Sequence, residues 1–249
     1  MQQPSPHHCP ADRVLVPTLF VLFLALVLAP AAFGQQTNVT RFDMFTGYAF
    51  LDSPHISLFE NGFQFQFGVR PRTWYSLGFD YSISQGNLTL TPNLLPDSLS
   101  VPLLAEVKTL IAAGLLPPNY ALAVDATSRT NSFAIGPQLA YRHFKHVTLF
   151  LRPSIGAIHE SATPKPNPSD VFAVGVVKSL APSGVKTDWQ GFYGFGYGFD
   201  ILLTNHFAIR TQGDLVWDHL FNDVLKDGRW TTRFSVGPCF NFGKNIAAK

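Results

Sequence analysis

The stretch Gly62-Phe63-Gln64-Phe65-Gln66-Phe67-Gly68-Val69-Arg70 decides the fold. Phe63, Phe65, Phe67 and Val69 occupy one set of alternate positions, and Gly62, Gln64, Gln66, Gly68 and Arg70 occupy the other. Period two over nine residues puts the two sets on opposite faces of an extended strand, with a different solvent on each face. After a turn at Pro71 and Arg72 the pattern repeats. Tyr75, Leu77, Phe79, Tyr81 and Ile83 alternate with Trp74, Ser76, Gly78, Asp80 and Ser82, which makes a hairpin.

The same pattern continues in both directions. Phe133, Ile135, Leu139 and Tyr141 oppose Ala134, Gly136, Gln138, Ala140 and Arg142, and Leu149, Leu151, Ile155 and Ala157 oppose Thr148, Arg152, Ser154 and Gly156. Further on, Phe195, Tyr197, Phe199 and Ile201 stand against Gly194, Gly196, Gly198 and Asp200. Phe207, Ile209, Leu215 and Trp217 stand against Arg210, Gln212 and Asp214. Strands near Asp43 to Phe50 and Arg233 to Phe242 complete the set. Connections alternate between short turns, at Pro71, Phe144–Lys145 and Asn205, and long segments around 52–61, 84–130, 160–189 and 218–229. The expectation is an all-β protein, a closed antiparallel transmembrane β-barrel of about eight strands with long loops at one end.

A soluble sandwich also has short alternating strands, but it buries its apolar face. Here the face opposite the phenylalanines carries Asp43, Arg70, Asp80, Arg142, Arg152, Asp200, Arg210, Asp214 and Arg233. A barrel in lipid accounts for this inversion, because the charges pair inside while the aromatics meet acyl chains. Eight strands leave a lumen that side chains fill, so these residues are expected as a packed polar interior; a narrow pore or ligand-binding barrel is the alternative. Pro137, Pro153 and Pro238 oppose the scheme. Each removes a ladder donor on the lipid face, and bulges beside Gly136 and Gly237 are the expected remedy.

At the amino end an apolar run from Leu19 to Leu28 closes on Ala32-Phe33-Gly34, the pattern of a secretory signal peptide over 1–34 that leaves residues 35–249 as the barrel. Cys9 falls in that leader and Cys239 is then alone, so neither a disulfide framework nor a thiol metal cluster is available. No metal or other cofactor is expected. With a net charge of +2 the chain nominates no nucleic-acid partner, and 23 phenylalanines against 14% charged residues suit a surface in lipid.

In the last strand, Ser235, Gly237, Phe240 and Phe242 resemble the recognition signal of outer-membrane barrels, and residues 40–242 as a whole resemble the small OmpA-like transmembrane barrels. The resemblance implies location in a bacterial outer membrane, insertion by the barrel-assembly machinery and contact with outer-membrane lipid. The chain departs from the pattern by running seven residues past Phe242 and by having no wall-binding domain after the barrel.

The second long loop carries a helix pattern over 101–113, with Leu103, Leu104, Val107, Leu110 and Ile111 on one stripe. Such a helix packs on the barrel mouth or neighbouring loops, or serves as a lid or docking surface. Loops 84–130 and 160–189 are the candidates to meet a surface partner. His159, Glu160 and Ser161, and separately Asp218, His219 and Asp223, are expected near the outer rim, where a histidine beside acids could act as a general base. No spacing singles out a nucleophile, so no catalytic residue is assigned and a role other than catalysis is expected.

Overall fold

A computed structural model describes residues 36–226 and 228–247. The leader read at 1–34 lies outside the described residues. The eight strands are β1 (Thr40–Ser53), β2 (Leu58–Val69), β3 (Tyr75–Leu90), β4 (Val124–Tyr141), β5 (Val147–Lys165), β6 (Lys186–Leu202), β7 (Phe207–Asp218) and β8 (Arg229–Asn245). Each pairs antiparallel with its sequence neighbours, and β8 returns to β1, closing the barrel.

Period two survives around the barrel. Phe63, Phe65, Phe79, Ile135, Phe195, Tyr197, Phe234 and Phe240 are exposed on the outside, while the ionic residues between them are buried in the lumen. On β6 the outward run Tyr193 to Ile201 extends about 27 Å along the strand, or about 21 Å of height at a tilt of about 40°. That is close to the roughly 25 Å apolar band of barrels in an outer membrane. Trp189, Trp217 and Trp230 ring the end with the long loops, with Trp217 and Trp230 packed at 5.0 Å, and Trp74 stands at the opposite end. Among the described residues no helix is long and apolar enough to cross a membrane.

The prolines are accommodated without bulges. The β4–β5 ladder keeps one register from Ile135↔Ile155 to Leu139↔Leu151 but is interrupted between them, and Pro137 and Pro153 face each other at the centre of that gap. Two missing donors thus share one interruption. Pro238 lies in a similar gap of the β1–β8 ladder, where Thr46 and Gly47 pass Gly237 so closely that a Cβ there would meet the Thr46 carbonyl oxygen at 2.2 Å. The one register shift in that ladder falls between Thr40 and Phe42, opposite Gly243, whose φ of +92° suits glycine.

The strands also run further than the apolar alternation. The connection expected over 52–61 is a tight turn from Pro54 to Ser57, and the two helical loops contract to 91–123 and 166–185. The helix expected over 101–113 is α1 (Asp97–Ala112), and a second, unforeseen helix is α2 (Val171–Leu180). Asp170 caps α2 by accepting the Ala173 N–H at 2.9 Å, and its other oxygen accepts the Tyr120 hydroxyl at 2.7 Å. Burial and then this bond hold the Tyr120 phenol above its usual pKa. Leu103 of α1 and Phe172, Val176 and Val177 of α2 pack on one buried cluster, Leu122, Val124 and Ala173. The two loops therefore share a small core of their own.

Glycines on the lumen face of β6 make room for large neighbours on β5: Gly198 pairs with Phe150 and Gly196 with Arg152. A Cβ at Gly196 would lie 2.3 Å from Asp214 Oδ1, whereas one at Gly175 on α2 meets nothing within 4 Å. Gly196→Val is therefore expected to lower the free energy of unfolding by about 1–3 kcal/mol through overpacking, and Gly175→Ala, inside a helix, to raise it by about 0.4–1 kcal/mol. Denaturant titration of the barrel refolded in detergent, followed by tryptophan fluorescence, measures both.

Candidate functional site

The barrel lumen is where the sequence-expected residues converge, and it is stratified. Nearest the short turns, β7 contributes Arg210, which is fully buried. Its Nε donates to Asp200 Oδ1 at 2.7 Å and its Nη2 to Asp200 Oδ2 and Asp43 Oδ2, each at 2.9 Å. Nη1 donates to Gln66. Phe150 and Phe45 cover the guanidinium, with ring centroids 4.9 and 5.6 Å from its carbon. Stacking and a two-pronged carboxylate are contacts that a planar guanidinium satisfies and an ammonium does not. Arg70 joins this layer through Asp43 at 3.3 Å and Asn241 at 2.9 Å. Cys239 is buried here with Phe45 and Ala208.

In the middle layer Arg152 and Arg233 share two aspartates. Arg152 reaches Asp80 Oδ2 at 3.0 Å and Asp214 Oδ1 at 2.9 Å; Arg233 reaches Asp214 Oδ2 at 2.9 Å and Asp80 Oδ1 at 3.3 Å. Gln64 donates to Asp80, and Arg233 Nη1 also donates to the Ser82 and Ser132 hydroxyls. Four side chains from β3, β5, β7 and β8 thus form a closed ring of alternating charge.

Toward the long loops the lumen is acidic and then apolar. Glu60 and Glu160 converge on Ser128, while Asp218 accepts from Thr231 at 2.9 Å and holds Arg229 at 3.4 Å. Above them the β7–β8 segment turns inward, placing Leu220, Phe221 and Leu225 against Ile56, Leu88, Phe192 and Val216. Phe221 adopts the left-handed region at φ +54°. Asp188 accepts its N–H at 2.6 Å, and Arg229 donates to the Leu220 carbonyl at 2.9 Å. The opposite end is closed by Gln36, which donates to the Phe144 and Val147 carbonyls and to Thr148.

Eight of the nine expected interior charges meet an opposite charge in the lumen. Arg142 is the exception: half-buried at the inner end, it donates to the Thr73 carbonyl at 2.8 Å, to Gln36 at 3.1 Å and to Thr148 at 3.0 Å. The residues grouped near the rim are dispersed. Glu160 points into the lumen, His159 lies outside against Trp189 at 4.5 Å, and Asp223 pairs with Lys186. Of the final-strand residues, Ser235 is buried in the lumen and Gly237 faces the same side. Phe240 is exposed, and Phe242 stacks between it and Phe42 at 5.8 and 5.5 Å. The segment after Phe242 continues β8, and the Ile246 N–H reaches the Val39 carbonyl at 2.8 Å. Sequence reading missed Phe45, Phe150, Glu60 and Ser128. Parity does assign all four to the lumen once the strand limits are known.

No family model matches the chain, and no curated protein matches it. Solved structures do resemble it. Neisserial surface protein A is similar with a TM-score of 0.49 at 11% identity over 81% of this chain and 96% of its own. Ail, the attachment invasion locus protein of Yersinia pestis, gives 0.45 at 10% over 82% and 99%. The outer membrane protein OprG from Pseudomonas aeruginosa gives 0.45 at 10% over 85% and 100%. The closed strand order and the inverted faces themselves define the class, an eight-stranded antiparallel barrel with an aromatic outside and a charged inside.

Removing Arg210 leaves Asp43 and Asp200 buried without their shared partner. Arg210→Met is expected to destabilise by about 3–5 kcal/mol, the usual effect of breaking one side of a buried pair. Arg210→Lys keeps the charge but loses the fork and the stacking, so it falls between Arg210→Met and wild type in denaturant midpoint.

Proposed function

We propose that the protein is an integral outer-membrane barrel of a bacterial envelope, reached after removal of the leader at 1–34, with a structural or surface-interaction role in place of catalysis. One observation carries the reading: aromatics cover the outside at membrane height while paired charges and an apolar cap fill the inside. A filled lumen favours packing over conduction, because its arginines and aspartates are held by one another and are not free to coordinate a passing ion. Lipid is the partner of the outer face, and a surface partner would meet the helical loops 91–123 and 166–185.

If the reading holds, the mature protein resists extraction by high salt and alkaline carbonate and requires detergent. Release by carbonate alone would overturn it. Planar-bilayer recording addresses the lumen separately, with the expected outcome being no stepwise conductance from wild type. Reproducible steps that change with Arg152→Gln or Asp214→Asn would establish a pore.

The barrel-assembly machinery is the proposed partner of β8, through Gly237, Phe240 and Phe242. Phe242 occupies the closing seam, stacked on Phe42 across the β1–β8 pair, whereas Phe65 lies mid-sheet on β2. Expressed at equal level, Phe242→Ala is expected to lower the heat-modifiable, inserted fraction severalfold more than Phe65→Ala. Equal losses would reduce Phe242 to one more lipid-facing aromatic.

A further inference from the structure

Every carboxylate in two of the lumen's layers meets guanidinium groups on at least equal terms, and in the third layer carboxylates outnumber them. Asp43 and Asp200 meet Arg70 and Arg210, and Asp80 and Asp214 meet Arg152 and Arg233. In the outer layer Glu60, Glu160 and Asp218 are all buried, and the one buried guanidinium among them, Arg229, is held by Asp218. Further out, Lys186 pairs with Asp223, and Asp188 is engaged by the Phe221 N–H. Three buried carboxylates, Glu60, Glu160 and Asp218, therefore share one guanidinium, whose Nε and Nη1 have no hydrogen-bond partner. A layer with more carboxylates than cations is costly in a low-dielectric interior.

Their surroundings are built from oxygen. Ser128 Oγ lies 2.6 Å from Glu60 Oε1 and 3.0 Å from Glu160 Oε1, and Ser84 Oγ lies 2.7 Å from Glu60 Oε2. A serine hydroxyl has one hydrogen, so Ser128 cannot donate to both carboxylates at once. Glu60 reaches Ser128 by crossing β3 at Gly86, where a Cβ would lie 2.9 Å from Glu60 Cγ. Thr130 sits between Ser84 and Glu160 in register, on the lumen face, and is 3% exposed. Its hydroxyl oxygen has no hydrogen-bond partner. This orphaned acceptor, independent of the carboxylates, points to a missing ligand.

We propose that Glu60, Glu160, Ser84, Ser128 and Thr130 form a binding site for a hard divalent cation, calcium in preference to magnesium. Two carboxylates supply the opposing charge, and three hydroxyls complete an oxygen set. The donors are all oxygen, with no histidine or cysteine among them, a set that suits a hard cation better than a transition metal. Calcium accepts irregular oxygen shells and gives up water readily, whereas magnesium demands an octahedron and keeps several waters, for which this interior has little room.

The test uses the full mature barrel in detergent, stripped with chelator and then titrated with calcium chloride or magnesium chloride. Calorimetry is expected to show one saturable calcium site, with a rise in melting temperature and a weaker response to magnesium. Glu60→Gln and Glu160→Gln should each abolish both responses while the protein still folds, as judged by heat-modifiable migration. Glu106→Gln, on the exposed helix α1, should leave them intact. Two results would overturn the proposal. One is a wild type indifferent to calcium whose melting temperature in chelator is raised by Glu160→Gln, which would mean that a proton neutralises the pair. The other is a calcium response that survives both lumen substitutions, which would mean binding at surface carboxylates.

Discussion

The pairing of β8 with β1 is the contact on which the rest depends. An open sheet of this composition would present two rows of unpaired N–H and C=O groups beside an aromatic outer surface, where acyl chains can satisfy neither. Closure removes both rows at once, and it fixes which side of each strand is inside. The seam is not uniform. It is interrupted where Thr46 and Gly47 pass Gly237 and Pro238, and it shifts register near Gly243. Continuity comes from its flanks, Phe42 to Phe45 against Cys239 to Phe242 and Tyr48 to Asp52 against Thr232 to Val236.

The number of strands sets the lumen, and the lumen sets the residues. A barrel this narrow has room for large side chains only where a neighbour is absent, which explains the glycines of β6. They lie under Phe150 and Arg152 and allow both to reach across the interior. Arg152 thereby ties β5 to β3 and β7, and Arg210 ties β7 to β1 and β6. Each arginine spans strands distant in sequence, so the network opposes register slippage in several ladders at once. Its net stabilisation need not be large for that role, since desolvation offsets much of the attraction.

Most of the barrel was legible because lipid and lumen impose opposite chemistry on alternate residues. Legibility ended where that contrast ends. Beyond the aromatic girdle the outward faces of β3 and β4 turn polar, with Gln85, Asn87, Thr89, Asp125, Thr127 and Arg129, while the lumen side gains Leu88 and Ala126, so the strands read as loop although their ladders continue. Helix α2 was missed because Val171 to Leu180 is a short apolar run of four valines and a glycine, residues that favour strands and loops over helix; the Asp170 cap and packing on Leu122 and Val124 determine it. The bulges expected at the prolines were wrong for a physical reason. Two prolines placed opposite each other need only one gap in the ladder, and a sequence does not display that cross-strand coincidence. Nor could it display the ion-pair partners, since Asp80 and Arg152, or Asp43 and Arg210, meet only through tertiary register.

The three layers of the lumen also divide the work of the fold. In the two layers nearest the short turns every carboxylate is paired, and Gln36 seals their end with contacts to Phe144, Val147 and Thr148. The outer layer is under-compensated and is covered by Leu220, Phe221 and Leu225, carried on a segment whose backbone is fastened by single contacts from Asp188, Arg229 and Leu94. Carboxylates in excess of guanidinium beneath an apolar cap add no rigidity, which resides in the arginine layers. A cation bound there, as proposed, would supply the missing charge at the end of the barrel where the long loops are.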